Sequence, residues 1–114
     1  MLREQLQSKI HKATITEADL SYIGSITIDQ DLLDRIDLWP GQKVTVVSNT
    51  SGNRLETYVI SGERGTGTVC MNGAASLLIK KGEEVIIFSY ALSDRQITPK
   101  CILVDTNNKF VQEL

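Results

Sequence analysis

Tyr22-Ile23-Gly24-Ser25-Ile26-Thr27-Ile28 sets a Gly-Ser pair directly against an alternating, β-branched run. Alone, such a pair is common turn chemistry, because glycine tolerates positive φ and serine bonds to nearby backbone. The flanks here are not turn-like: Tyr22 and Ile23 precede the pair, and Ser25 to Ile28 reads as a strand. A serine hydroxyl held beside the preceding carbonyl can attack it. Gly24, lacking a side chain, leaves the path open and lets the peptide adopt the strained geometry that an N-to-O acyl shift requires. The ester so formed can eliminate and hydrolyse, which leaves an α-keto acyl group, a pyruvoyl, at the new terminus of residue 25.

Outward from this stretch the chain reads as mostly β. Lys9 to Thr16 alternates, with Ile10, Ala13 and Ile15 set among Lys, His and Thr, and Asp19-Leu20-Ser21 then turns it. After Ile28, Asp31 to Ile36 combines an acidic first turn with apolar residues at helical spacing, which predicts a short helix ended by Trp39-Pro40-Gly41. Lys43–Ser48 and Leu55–Ser61 read as strands joined by the hairpin-like loop Asn49–Asn53, which delivers Arg54 to a strand edge. Gly62 to Gly67 is glycine-rich, but it lacks a Gly-Lys-Ser/Thr ending and the strand-to-helix setting of a phosphate cradle, so it reads as a turn. Thr68–Met71 is a short strand, and Asn72 to Leu77 predicts an Asn-capped short helix. Glu84 to Leu92 is the most continuous apolar strand, and Lys100–Asp105 with Lys109–Val111 forms a closing hairpin around Asn107-Asn108. So many short strands argue for a small closed barrel, since closure removes exposed edges.

A length of 114 residues fits one domain with one modest core. Hydrophobic residues at 41% and charged residues at 23% are those of an ordinary globular protein, which argues against disorder. A net charge of −2 and the absence of a basic run argue against nucleic-acid binding. No apolar run approaches the ~20 residues that span a bilayer, and Met1-Leu2-Arg3-Glu4-Gln5 lacks a signal-peptide core, so a cytoplasmic protein away from membranes is expected. Cys70 and Cys101 lie in apolar, strand-like runs in a chain with one His; buried free thiols are expected, and no metal site.

Several blocks together carry a resemblance: Lys9-Ile10-His11, Ala18-Asp19-Leu20, Tyr22-Ile23-Gly24-Ser25, Ile28-Asp29-Gln30-Asp31, Asn53-Arg54 with Thr57-Tyr58, Glu63-Arg64-Gly65, and Asn72-Gly73-Ala74-Ala75. In residue types and spacing they resemble the pyruvoyl-dependent aspartate 1-decarboxylases, without a gap from the first residues to about Ile87. The tail after Leu92 matches poorly, and Val47 stands where some members have a larger aromatic.

The resemblance implies a mainly β fold, a double-psi barrel with short helices. It implies assembly as a homotetramer with sites between subunits, and self-cleavage between Gly24 and Ser25 into a β chain of residues 1–24 and an α chain of residues 25–114. It implies conversion of L-aspartate to β-alanine and CO2, for pantothenate and coenzyme A biosynthesis, with a covalent pyruvoyl as the only cofactor. The amine of the substrate forms a Schiff base with that pyruvoyl, and the electrons left by CO2 delocalise onto it. Maturation is assisted by a partner in some members.

Residue by residue, the resemblance gives Ser25 the pyruvoyl and Tyr58 the proton returned to the product carbanion. Thr57 matches the residue that hydrogen-bonds the Gly24 carbonyl during cleavage. Arg54 and Lys9 match carboxylate binders, a role for which the bidentate fork of arginine is suited. Asn72, Gly73, Ala74 and Ala75 match the wall of the pyruvoyl, and Tyr22 and His11 line the pocket. Each has a plainer reading taken singly: Arg54 as a solvated hairpin charge, Tyr58 and Thr57 as strand residues, His11 as a surface or satisfied core imidazole, Asn72 as a cap. Two alternatives follow: a non-catalytic small-barrel binding module, or the same mechanism acting on another acidic amino acid.

Overall fold

The computed structural model describes residues 1–114. In chain order the elements are β1 (Arg3–Thr14), β2 (Glu17–Asp19), β3 (Ser25–Asp29), α1 (Gln30–Arg35), β4 (Lys43–Ser48), β5 (Arg54–Gly62), β6 (Val69–Asn72), a 3-10 helix (Gly73–Leu77), β7 (Glu84–Ser93), β8 (Lys100–Val104) and β9 (Phe110–Glu113). The mainly β expectation with short helices is borne out.

One nine-stranded sheet carries the fold, in the order β2-β6-β3-β5-β4-β7-β1-β8-β9. Strand β2 lies at its edge, yet only Ile15 and Thr16 separate it from β1, seventh in that order. The sheet therefore curls until one continuous piece of chain joins its two sides, an arrangement compatible with the expected small barrel. Backbone bonding holds this seam: the Thr16 N–H donates to the Val69 carbonyl at 2.8 Å on the β6 side, while the Ile15 N–H extends the β1–β7 ladder to the Glu83 carbonyl at 2.9 Å. The Thr16 hydroxyl adds a second link, accepting from the Val69 N–H at 2.9 Å. Such a seam pairs backbone groups that would otherwise be buried without partners.

Alternation fills the interior, with Ile26 and Ile28 of β3, Val44 and Val46 of β4, and Val85 and Ile87 of β7 turned into one core. Strand β1 departs from simple alternation. Its ladder with β7 shifts register between Ile10 and Ala13, and Lys12 there takes a φ of 62°. This bulge turns both Ile10 and Ala13 inward although they are three residues apart.

Asp29 gives the Ile28-Asp29-Gln30-Asp31 block an architectural role. Buried at the end of β3, its carboxylate accepts from the N–H groups of Asp31 at 2.8 Å, Gly65 at 3.1 Å and Gly67 at 2.9 Å. It thus caps α1 and fixes the Gly62–Gly67 turn at once. Arg64, on that turn, bridges back to Asp31 at 2.9 Å and Asp34 at 2.6 Å.

Some expectations need correction. Strand β1 starts at Arg3, not Lys9, and a further strand, β2 at Glu17–Asp19, leads into the expected turn, which covers Leu20 and Ser21. Asn72 does precede a helix, but the helix is 3-10 and Asn72 makes no side-chain cap bond to it. Cys70 and Cys101 are free, as expected, but half-buried rather than buried.

Candidate active site

Ser25 opens β3 and is fully buried, at 0% exposure. Ile26 and Ile28 face the core, so Ser25 and Thr27 face the other side of the sheet. The neighbouring strand β6 runs antiparallel, with Ser25 opposite Asn72 and Thr27 opposite Cys70. That register delivers the Asn72 amide to two hydroxyls: its Nδ2 donates to Ser25 Oγ at 2.9 Å and to Thr27 Oγ1 at 2.9 Å. The Ser25 hydroxyl in turn donates to the Ile23 carbonyl at 3.0 Å. The amide that the sequence suggested as a helix cap is thus spent on the serine. Two members of this cluster, Thr27 and Cys70, were not read from the sequence as site residues; their even spacing from Ser25 and Asn72 along the strands was the available signal.

Gly73 and Ser76 shape the other side of the Gly24-Ser25 peptide. Gly73 has a φ of +68°, and a Cβ there would lie 2.7 Å from the Gly24 Cα and 2.8 Å from its nitrogen. The Ser76 hydroxyl donates to the Gly73 carbonyl at 2.7 Å and holds that turn. Gly24 itself has no such constraint, since a Cβ there would meet nothing within 4 Å. Packing therefore requires glycine at 73, not at 24, and the bareness of residue 24 is left to chemistry. Ala74 and Ala75 continue the 3-10 helix, the latter packed against the core, and Tyr22 stands exposed on the near side of the pair.

Tyr58 arrives from β5. This strand runs parallel to β3 with Val59 opposite Ile26, so Tyr58 and Ser25 each stand one residue before that pair. Val59 is buried in the core, which puts Tyr58, 39% exposed, on the face that carries Ser25. Thr57 alternates to the opposite side of β5, and its hydroxyl makes no hydrogen bond to Gly24.

Lys9 and Arg54 meet elsewhere. They line a cleft of about 270 Å³ with Leu6, Val47, Ile86, Phe88 and Tyr90. Register explains the grouping, since Val47 of β4 lies opposite both Arg54 and Ile86, and Lys9 of β1 lies opposite Phe88. Neither cation forms a salt bridge within the chain. The two cations, without carboxylate partners and with Arg54 exposed, stand beside this apolar lining. Arg54 precedes Tyr58 by four residues on β5, roughly 13 Å along a strand, and neither Ser25 nor Tyr58 lines this cleft. His11 joins neither group: it pairs with Leu103 of β8, and its buried Nδ1 has no partner.

The site residues thus fall into two groups on one fold, a buried serine with its amide and with Tyr58 on the same sheet face, and a cationic cleft. A family model described as aspartate decarboxylase matches residues 1–111, so the likeness runs well past Ile87 and through most of the tail that had seemed divergent. A protein of Neisseria meningitidis named aspartate 1-decarboxylase is 58% identical, over 96% of this chain and 89% of its own length. Proteins of the same name from Acetivibrio thermocellus and Bacillus cereus are 52% and 48% identical, over 93% and 100% of this chain. With a match of that extent and a serine so held beside a bare glycine, the chain belongs to the aspartate decarboxylase family.

Proposed function

We propose that this chain cuts itself between Gly24 and Ser25 and then decarboxylates L-aspartate to β-alanine and CO2. The observation that carries the reading is the buried Ser25 hydroxyl, which accepts the Asn72 amide at 2.9 Å beside a glycine that packing does not require. In the cut, Ser25 Oγ bonds to the Gly24 carbonyl carbon as the C–N bond breaks, and the hydroxyl proton passes to the Ser25 nitrogen. Loss of the Ser25 α-proton and departure of the Gly24 carboxylate leave a dehydroalanine, and water converts this to a keto group with release of ammonia. The Asn72 Nδ2 group supports the charge that develops on Oγ as its proton leaves. Thr57, which faces away from Ser25 within one chain, is assigned to the Gly24 oxygen of a neighbouring subunit.

The setting fits a pyruvoyl group at residue 25: the position is dry, and the Gly73 turn leaves room for no more than backbone. A pyruvoyl there supplies the electron sink that CO2 loss from an α-carbon needs. The chain's own residues do the rest. Arg54 and Lys9 bind the substrate carboxylates, Tyr58 returns a proton to the product carbon, and Asn72 with the Gly73-Ala74-Ala75 backbone walls the pocket, which Tyr22 and His11 border. The separation of the Ser25–Tyr58 cluster from the Lys9–Arg54 cleft within one chain supports sites completed between subunits of a homotetramer. No helix of the chain is long and apolar enough to cross a membrane, and we place the enzyme in the cytoplasm, supplying β-alanine for pantothenate and coenzyme A.

Intact-mass measurement of the denatured protein tests the reading. Two species, residues 1–24 and residues 25–114 with no terminal amine on the second, are expected together with β-alanine formed from aspartate. A chain that stays whole, alone and with lysate added to supply any maturation partner, would sink it. A second reading, decarboxylation of a longer acidic amino acid, is favoured by Val47, which opens the floor of the cationic cleft. Faster turnover of glutamate than of aspartate would establish it.

A further inference from the structure

The two ends of an asparagine amide are nearly equal in size, so partners, not shape, decide which end points where. Ser25 has one hydroxyl proton, and it goes to the Ile23 carbonyl at 3.0 Å. Toward Asn72 the serine can therefore only accept, and it needs the NH2 end. Thr27 does not discriminate, because its hydroxyl can donate or accept. At the far end of the amide, Oδ1 has one side-chain partner, the Cys70 thiol at 3.1 Å.

A thiol is a donor and only a weak acceptor, so it suits the oxygen end of an amide far better than the nitrogen end. The only other acceptor within reach of this sulfur is the Met71 carbonyl at 3.8 Å, much further away. Burial, and then the nearby carboxylates of Glu17 and Asp19, push the Cys70 thiol up, which keeps its proton on sulfur.

We propose that Cys70 is a positioning residue for chain cleavage: by donating to Asn72 Oδ1 it locks the amide with its NH2 group toward Ser25 Oγ. The inference rests on the reading of Ser25 as the nucleophile, but the lock can be observed without any cleavage. In a Ser25→Ala chain, which cannot be cut, Thr27 is indifferent and Cys70 alone decides the orientation. There the Asn72 side-chain NH2 protons should show NOEs to the methyl of the substituted residue 25. These should persist in Cys70→Ser, whose hydroxyl donates equally, and weaken or vanish in Cys70→Ala, where the amide is free to turn.

In chains that keep Ser25, cleavage followed by intact mass should slow about 10-fold in Cys70→Ala, which corresponds to one lost hydrogen bond. Cys70→Ser should stay within about 2-fold of the parent. Unchanged Asn72 NOEs in Cys70→Ala, or cleavage at the parent's rate, would overturn the proposal. If the NOEs respond as expected but the parent itself never cleaves, the lock stands while the processing reading, and with it the purpose given to Cys70, falls.

Discussion

Gly73 and Gly24 touch backbone to backbone: a methyl added at residue 73 would come within 2.7 Å of the Gly24 Cα, whereas one added at residue 24 would touch nothing. The obstacle at 73 is main chain, not a side chain that can swing aside, and its φ of +68° is itself costly for alanine. Gly73→Ala should therefore lose about 2 kcal/mol or more and melt roughly 10 °C lower. Gly24→Ala should melt near the parent yet cleave far more slowly. Thermal melts paired with intact mass read both, and a Gly73→Ala protein as stable as the parent would show that the close approach is absent.

Removing the amide donor should separate processing from folding. Asn72→Ala leaves the Ser25 hydroxyl bound only to the Ile23 carbonyl. Loss of one such donor typically costs about 10²-fold in rate. The time course of cleavage is the measurement, and a drop under 3-fold would assign Asn72 to architecture alone.

The cationic cleft should act on substrate and not on maturation. Arg54→Ala is expected to cleave normally and to raise KM for aspartate at least 10-fold, and Arg54→Lys to recover only part of it, because lysine lacks the bidentate fork. Val47→Phe, which fills the floor of the same cleft, should raise selectivity for aspartate over glutamate. Steady-state kinetics on both amino acids decide the matter; an unchanged ratio would remove Val47 from substrate choice.

Acid should loosen the Asn49–Asn53 loop first. The Ser48 hydroxyl donates to Glu83 Oε1 at 2.6 Å and the Lys80 N–H to Oε2 at 2.7 Å, and these bonds hold the Glu83 carboxyl below its usual range. Ser48 Oγ also accepts from the Thr50 and Ser51 N–H groups, both at 3.1 Å, and so anchors the turn that leads to Arg54. A carboxyl with a lowered folded-state pKa contributes stability above its unfolded value, about 4.3 for glutamate. That contribution is lost as pH falls through the lower folded value. Glu83→Gln should flatten this part of the acid limb in melts taken from pH 6 to pH 3, and identical limbs would assign the acid sensitivity to other carboxylates.

Much of this was legible along the chain, where the cause is local. The short helix follows from Asp31 with Leu32, Leu33 and Ile36, and β4 from Val44 and Val46 alternating with polar neighbours. What was not legible depends on register between distant strands. Asn72 carries a helix-cap signature, and only its pairing with a residue 47 positions away turns the amide to Ser25 instead. Strand β2 is three residues long and two of them are charged, too short for any pattern to reveal. The start of β1 is hidden because Arg3 to Gln5 are polar on a strand end that faces solvent. The bulge at Lys12 cannot be seen in a sequence in which Ile10 and Ala13 simply look out of phase. The Lys9–Arg54 meeting likewise needs four strands in register.

The seam between β1 and β2 has a consequence for the life history of the protein. Residues 1–24 include β1, which sits between β7 and β8 in the middle of the sheet. The proposed cut after Gly24 would release nothing: it would turn one chain into a two-piece assembly that had folded while it was still one. Before the cut, β1 finds its place as part of the same molecule. After it, a denatured protein must recover its central strand from solution, so renaturation becomes a second-order process that depends on dilution. Maturation in this fold would then act as a ratchet, in which the chain assembles once under intramolecular terms and is held afterwards by the sheet alone.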